Sequence, residues 1–261
     1  AYSLAGSPAN ATYLYDGSNR LYYVADRSGN SAVNGLVLPG VTGNYAWAPD
    51  AAALDITGDI DIRCEAALPS WTAPAATSGL VAKRNQATQK SYTLGITITT
   101  GILFARFSST DTDVAGELAV SSAAAPFAAF ARGWVRVTRS GTAVIFYTST
   151  DGTTWAPLGT PQAITNISMQ VGTAQLGRGA YGDGNNALTG TVFRAQVRNN
   201  ILDDGTGIVL DSDFTLLAKL NGGASTFTCT TLQTVTIAQT SIALPARIHG
   251  ARDLYQGLTA N

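Results

Sequence analysis

The stretch LDITGDIDIRCEAAL, residues 54–68, sets Asp59, Asp61, Arg63 and Glu65 at every second position, with Ile60, Ile62 and Cys64 between them. A period of two sends successive side chains to opposite faces of an extended chain, so this segment makes a strand with one apolar and one charged face. The same alternation recurs in SYTLGITI (91–98), ILFARF (102–107), WVRVTR (134–139), AVIFYTS (143–149) and GTVFRAQVRN (190–199). Gly, Asn, Asp or Pro punctuates their ends, as strand boundaries require. No segment sustains a helical period; PDAAAL, APFAAFA and ARDLYQGL each suffice for a turn or two. Short strands without long helices between them predict an all-β chain, an antiparallel two-sheet β-sandwich of the jelly-roll kind.

One hairpin is legible in detail. AVIFYTSTDGTTWAPLG runs strand, turn, strand, with Asp151-Gly152 at the corner, where φ must turn positive. Its centre, STDGTTW, resembles the Asp-box of sialidase propellers, a hairpin turn repeated there and present once here. Asp151 is expected to bond turn amides, and Trp155 to anchor the hairpin on the core.

Composition narrows the partners. The chain has 261 residues, 45% hydrophobic, enough for one large β domain with a sizeable core. Charged residues are only 13% and the formal net charge is -1, which gives no electrostatic reason to expect nucleic acid. No run of about 18 apolar residues suggests insertion into a membrane. A weakly charged exterior suits a subunit packed among neighbours, including copies of itself, because charges are depleted at interface cores. Residues 1–40 are rich in Tyr and turn formers (TYLYDGSNRLYYVADRSGNS) and read as an N-terminal arm or extra hairpin for docking. Residues 41–240 carry the strand rhythm, and 241–261 depart from it as a C-terminal contact segment. The opening AYSLAGSPAN lacks the basic and apolar regions of a signal peptide and reads as a mature start.

The chemistry-bearing residues are few. Cys64 and Cys229 make no disulfide framework, and the apolar position of Cys64 favours a buried free thiol over a bridge between them. His249 is the single histidine and no cysteine pair has metal-ligand spacing, so neither a zinc centre nor a serine–histidine triad is expected. Recognition is the better prospect. In GRGAYGDGNNALTG (177–190), Tyr181 offers an aromatic face and Asp183, Asn185 and Asn186 offer side-chain oxygens. Sugars need apolar stacking beside fixed hydrogen bonds, and hard cations need several oxygens, although no specific motif supports calcium or any other cofactor. The competing reading is a polar connection between strands. Trp71, in PSWTAPAAT, is either a second exposed aromatic for a ligand or a strand-end residue that packs inward.

At GNYAWAPDAAALDITGDIDIRCEAALPSW (43–71) the chain resembles the laminin-G-like, concanavalin A-like jelly rolls, above all those of virion proteins of tailed phages infecting actinobacteria. The resemblance continues through GLVAKRNQATQKSYTLGIT, GWVRVTRSGTAVIFYTSTDGTTWAPLG, LTGTVFRAQVRNNI and DFTLLAKLNGGASTFTC, covering roughly residues 36–240. It implies two curved sheets that bind glycans, proteins or calcium on a concave face and edge loops. It also implies a place in a minor tail protein, tail fibre or capsid decoration.

Laminarinase-type relatives of that fold carry Glu, apolar, Asp, apolar, Glu on their catalytic strand. Here the matching pattern is Asp59, Ile60, Asp61, Ile62, Arg63, which puts a guanidinium where the second carboxylate belongs. Arg63 cannot serve as acid or base, so no catalytic residue is assigned and the charged row is expected to face solvent or an interface. The reading that follows is a non-enzymatic virion structural protein. It would be a minor tail protein or capsid decoration on the particle exterior, touching other virion proteins, copies of itself and a host glycan. Its rival is a lectin module or a degenerate glycoside hydrolase.

Overall fold

The computed structural model describes residues 35–166 and 168–215, the strand backbones at 2–3, 12–13, 23–24, 33–34 and 226–227, and residues 228, 229, 231 and 234–238. Two short antiparallel pairings come first, β1 (Tyr2–Ser3) with β2 (Thr12–Tyr13) and β3 (Tyr23–Val24) with β4 (Val33–Asn34). The expected arm is otherwise outside the described residues, as are the contact segment 241–261 and His249.

From residue 36 onward the strands sort into two antiparallel sheets. The back sheet takes β5 (Leu36–Pro39), β7 (Ile60–Ala67), β12 (Arg132–Ser140), β13 (Ala143–Ser149), β14 (Ala156–Pro157), β15 (Gln162–Ala163), β17 (Thr189–Arg198) and β18 (Ile208–Asp213). Its main order is β14-β13-β12-β7-β17-β18, with β5 on β17 and β15 on β13. Residues 36–39, grouped with the arm by composition, are therefore part of this sheet. The front sheet runs β11-β10-β9-β8-β16-β6-β20-β19. Its strands are β6 (Tyr45–Ala48), β8 (Ser78–Lys83), β9 (Tyr92–Ile96), β10 (Ile102–Phe107), β11 (Leu118–Ala124), β16 (Leu176–Arg178), β19 (Thr226–Thr228) and β20 (Thr234–Ala238). This is the two-sheet β-sandwich that the alternation predicts.

Inner faces of the two sheets share one core. Ile60, Ile62, Cys64 and Ala66 of β7 meet Val135 and Val137 of β12, Val144 and Phe146 of β13, and Ala195 and Val197 of β17. Opposite them lie Tyr92, Leu94 and Ile96 of β9 and Leu103, Ala105 and Phe107 of β10. Cys64 and Cys229 are both buried and free, and burial holds the Cys64 thiol far above its ordinary range. Arg178 crosses the middle: its guanidinium donates to Ser212 Oγ of the back sheet at 2.7 Å and to the Leu176 carbonyl at 2.7 Å. Burial lowers it to about 10.

Trp71 belongs to this core. It is 1% exposed, donates its indole N–H to the Ala131 carbonyl at 3.0 Å, and meets Phe127 edge-on at 5.0 Å. The packed alternative for Trp71 is the one realised, because Gly101, with φ +63, lets the chain lie directly against its backbone. APFAAFA makes a single turn, Ala131 N–H to the Ala128 carbonyl at 3.0 Å, since Phe127 docks its ring where Gly133 has no side chain. Truncating the shared core at Ile62→Ala should lower unfolding free energy by about 2–5 kcal/mol in urea titrations. Ile98→Ala, at an exposed position, should change it by less than ~0.5 kcal/mol.

Candidate functional site

The charged row of β7 does not face water. Asp61 is 0% exposed, and Arg63 and Glu65 are also buried. Register explains why: β7 lies between β12 and β17, so Arg63 stands between Arg136 and Gln196, Glu65 between Trp134 and Arg194, and Asp61 between Thr138 and Arg198. Large side chains on adjacent strands, about 5 Å apart, shield one another. Asp61 accepts from Arg63 Nη2 at 2.6 Å and pairs with Arg136 Nη2 at 2.8 Å. Glu65 takes both forks of Arg132, at 2.5 and 2.8 Å. The expectation of a solvent or interface face is thus corrected: strand-neighbour arginines and distant loops cover these carboxylates. Asp59 stays at the strand's end, accepting from Ser140 Oγ at 3.0 Å.

The Asp151 turn forms as expected. Gly152 has φ +73, and Asp151 Oδ1 accepts from the Thr153 and Thr154 amides at 2.8 and 2.7 Å, which holds its carboxyl well below the usual range. Trp155 does not anchor on the core. Its ring lies on the outer face, 5.1 Å from the Arg63 guanidinium and 5.2 Å from that of Arg136. After the turn the chain returns over the arginines of the outer face, and a half-buried aromatic there gains cation–π contact.

On the front sheet the outer face carries a different cluster. Tyr92, Leu94 and Ile96 point inward, so Ser91 and Thr93 point outward. The ladders place Thr93 between Ala82 and Arg106. Two residues further along, on the same face, Arg84, Ser91 and Ser108 form the next row. Ser91 Oγ, Thr93 Oγ1, Ser108 Oγ and Arg84 Nε are all buried with no hydrogen-bond partner in the protein. Buried polar atoms normally find partners, and these four without one lie on adjacent rows of a single face.

Asp113 closes over this patch from the loop 109–116. It is 38% exposed on its side chain and pairs with Arg84 at 3.0 Å, Lys90 at 3.3 Å and Arg106 at 3.6 Å. Burial alone would raise its carboxyl, but the charges of Arg84, Arg106 and Lys90 outweigh that and hold it below the usual range. The loop is shaped from beneath by buried Glu117, which accepts from the Ser109 amide at 2.7 Å and the Val114 amide at 3.3 Å.

The loop after β16 borders the same patch. Tyr181 is only 6% exposed, because Arg84 lies over its ring at 4.9 Å and Gly79 leaves room for it on the sheet. Burial raises the Tyr181 phenol, with Arg84 acting against it. No open aromatic face is presented here, contrary to the expectation. Asp183 is exposed but spends its oxygens on the Gln86 amide at 2.7 Å and Asn185 at 3.2 and 3.0 Å. Asn186, with φ +52, donates to the Thr77 carbonyl at 3.3 Å and accepts from the Gly79 amide at 2.9 Å. These three residues build the loop, as a polar connection would. Tyr45 holds it down, donating to the Gly182 carbonyl at 3.1 Å.

Sequence reasoning found the loop but not the patch beside it. The signal was present in SYTLG, where the polar members of an alternating strand are hydroxyls rather than charges. Among the described residues no group of three His, Cys, Asp or Glu side chains is arranged to hold a metal ion. Nor, among the described residues, is any helix long and apolar enough to cross a membrane.

No protein-family model matches the sequence, and no curated protein matches it. Solved structures do share its fold. A proposed carbohydrate-binding protein from Bacteroides ovatus aligns with TM-score 0.50 at 10% identity, over 81% of this chain and 62% of that one. This chain therefore spans under two thirds of that protein's length. Tailspike protein 2 of an Escherichia coli bacteriophage aligns at 0.48 and 12% identity, over 78% and 31% of the two chains. A sialyllactose-bound carbohydrate-binding module of a Ruminococcus gnavus sialidase aligns at 0.43 and 17% identity, over 66% and 96%. Identities this low speak to the fold alone.

The Asp113 seat has a defined pH signature. Its stabilisation is present above about 3.9, the ordinary Asp value, and is lost as pH falls through the depressed folded value. Thermal melts of wild type and Asp113→Asn should differ most above that range and converge below it.

Proposed function

We propose that this chain is a non-enzymatic binding module whose front-sheet outer face takes a polyhydroxylated ligand, a glycan. Its setting in this reading is the exterior of a tailed phage particle, as a minor tail protein or capsid decoration among other virion proteins. The observation that carries the proposal is the patch of Ser91, Thr93, Ser108 and Arg84. Three hydroxyls and a guanidinium N–H, all buried and all without a protein partner, match the mixed donor and acceptor pattern of a sugar ring. Asp113, Arg84, Lys90 and Arg106 supply charged groups at the rim. The loop 109–116, exposed over most of its length, is the part that would give way to admit a ligand.

Against a hydrolase stands the state of the β7 carboxylates. Asp61 is held by two guanidiniums and Glu65 by a third, so neither is placed to give or take a proton from a substrate. The weak overall charge supports a subunit seated among neighbours, and the sequence resemblance to phage virion proteins supports the location.

Thr93→Val keeps the side chain's shape and removes one unsatisfied hydroxyl, so the melting temperature should hold or rise. Glycan-array binding should fall by about tenfold or more. A wild-type protein that binds no glycan, or a Thr93→Val variant that binds as wild type does, removes the reading. Detection of the polypeptide in cryo-EM maps of purified particles checks the location separately.

A further inference from the structure

The back sheet carries a second group of buried side-chain atoms lacking hydrogen-bond partners, and it differs in kind from the first. Arg136 Nε, Arg198 Nε, Arg198 Nη1 and Trp155 Nε1 are its members. All four are donors, so what they lack is an acceptor. They meet around a charge imbalance. Arg63, Arg136 and Arg198 form ion pairs with two carboxylates, Asp61 beneath and Asp203 above, so the paired groups carry one positive charge in excess, with the exposed Asp204 further out in the field of Arg198. Burial first, and then the charge of Arg63, lower Arg198 from the ordinary guanidinium range, the direction expected where counter-charge is short.

We propose that Arg63, Arg136 and Arg198 form a carboxylate-binding seat on the outer face of the back sheet, with Asp203 as its resident occupant, and that a sugar acid takes the seat when loop 199–207 lifts Asp203 away.

The shape of the seat selects the ligand. Guanidiniums are planar forks that match a carboxylate's two oxygens, and a monoanion restores the charge that Asp203 takes with it when it leaves. Asp203 already demonstrates the fit. Its Oδ1 accepts from Arg63 Nη2 at 2.6 Å, its Oδ2 from Arg136 Nη1 at 3.4 Å, and Arg198 Nη1 stands 3.8 Å off, within ion-pair range but beyond a hydrogen bond. A free carboxylate is not tied to a loop and can settle between all three. Two half-buried aromatics flank the seat, Tyr147 at 5.0 Å from the Arg136 guanidinium and Trp155 at 5.2 Å. Such rings suit the C–H face of a sugar better than a bare small anion.

The loop is tied across its base and exposed at its tip. Its base is closed by the Asn199 amide on the Gly207 carbonyl at 2.9 Å and by Asn200 Nδ2 on Thr206 Oγ1 at 3.1 Å. Between these lies an exposed tip, with Leu202 in solvent and Asp203, 41% exposed on its side chain, reaching back to the sheet. Burial alone would raise the Asp203 carboxyl, but Arg63, Arg136 and Arg198 outweigh it and hold it below the usual range, so the occupant is ionised at neutral pH.

Asp203→Ala empties the seat and tests the idea. Sodium glucuronate should raise the melting temperature of this variant over sodium chloride at equal ionic strength, with glucose inert. Calorimetry should give glucuronate an affinity about tenfold tighter than for wild type. Adding Arg198→Gln should abolish both effects. A response to acetate as strong as to glucuronate keeps the carboxylate seat and removes the sugar specificity. An equal response to sulfate, or none that depends on Arg198, overturns the proposal. If Asp203→Ala fails to fold, wild type suffices. The Trp155 indole N–H and the Arg136 and Arg198 Nε–H resonances should shift with glucuronate and not with chloride, and stationary resonances sink it.

Discussion

Strand β7 has to satisfy two environments that are both closed to water. Its even-numbered residues, Ile60 to Ala66, complete the core between the sheets, and its odd-numbered residues, Asp61, Arg63 and Glu65, are buried on the opposite face. Isolated buried charges are expensive, and a single pair seldom repays the loss of hydration. Here Asp61 is met by Arg63 and Arg136, Arg63 in turn by Asp61 and Asp203, and Glu65 by both forks of Arg132. The rest of the back sheet follows from that requirement. Arg136 of β12 and Arg194 and Arg198 of β17 stand opposite the β7 charges, Trp155 lies over Arg63 and Arg136, and loop 199–207 brings a carboxylate back to the surface of the cluster.

The two outer faces share one plan. On each, three cations meet a single half-exposed aspartate carried in by a loop, Asp113 on the front sheet and Asp203 on the back. Those six cations come from a total of 16 in the chain, which explains a surface poor in charge. The faces differ in what lies beneath: hydroxyls between the cations on the front sheet, guanidinium and indole donors on the back. Hydroxyls, which both donate and accept, suit polyols, whereas groups that only donate suit an anion. One sandwich thus presents two chemistries back to back.

Close approach of backbone to backbone shapes the front face. The loop 179–188 lies on β8 and β16 because Gly79 and Gly177 present no side chain there; a Cβ on Gly177 would stand 2.5 Å from the Ala180 and Tyr181 carbonyl oxygens. Tyr45, Ala180 and Ala187 form a small apolar cluster that fastens the loop. The result places Tyr181 beside the hydroxyl patch but with its ring covered. This is why a residue type associated with ligand stacking did not mark the site.

Local alternation determined much of this molecule directly. IDIRCEAA and AVIFYTS are strands at the residues where their period of two begins and ends, and Asp151-Gly152 turns where a positive φ was required. The apolar member of each alternating pair could be assigned to the core without a structure, because one face of any strand in a sandwich must be. What lay on the other face was open to the tertiary structure alone. Arg63 meets Asp203, 140 residues away, and Arg84 meets Asp113 across a loop. Period two reports which side chains share a face; whether that face is wet depends on segments far along the chain that fold back to cover it.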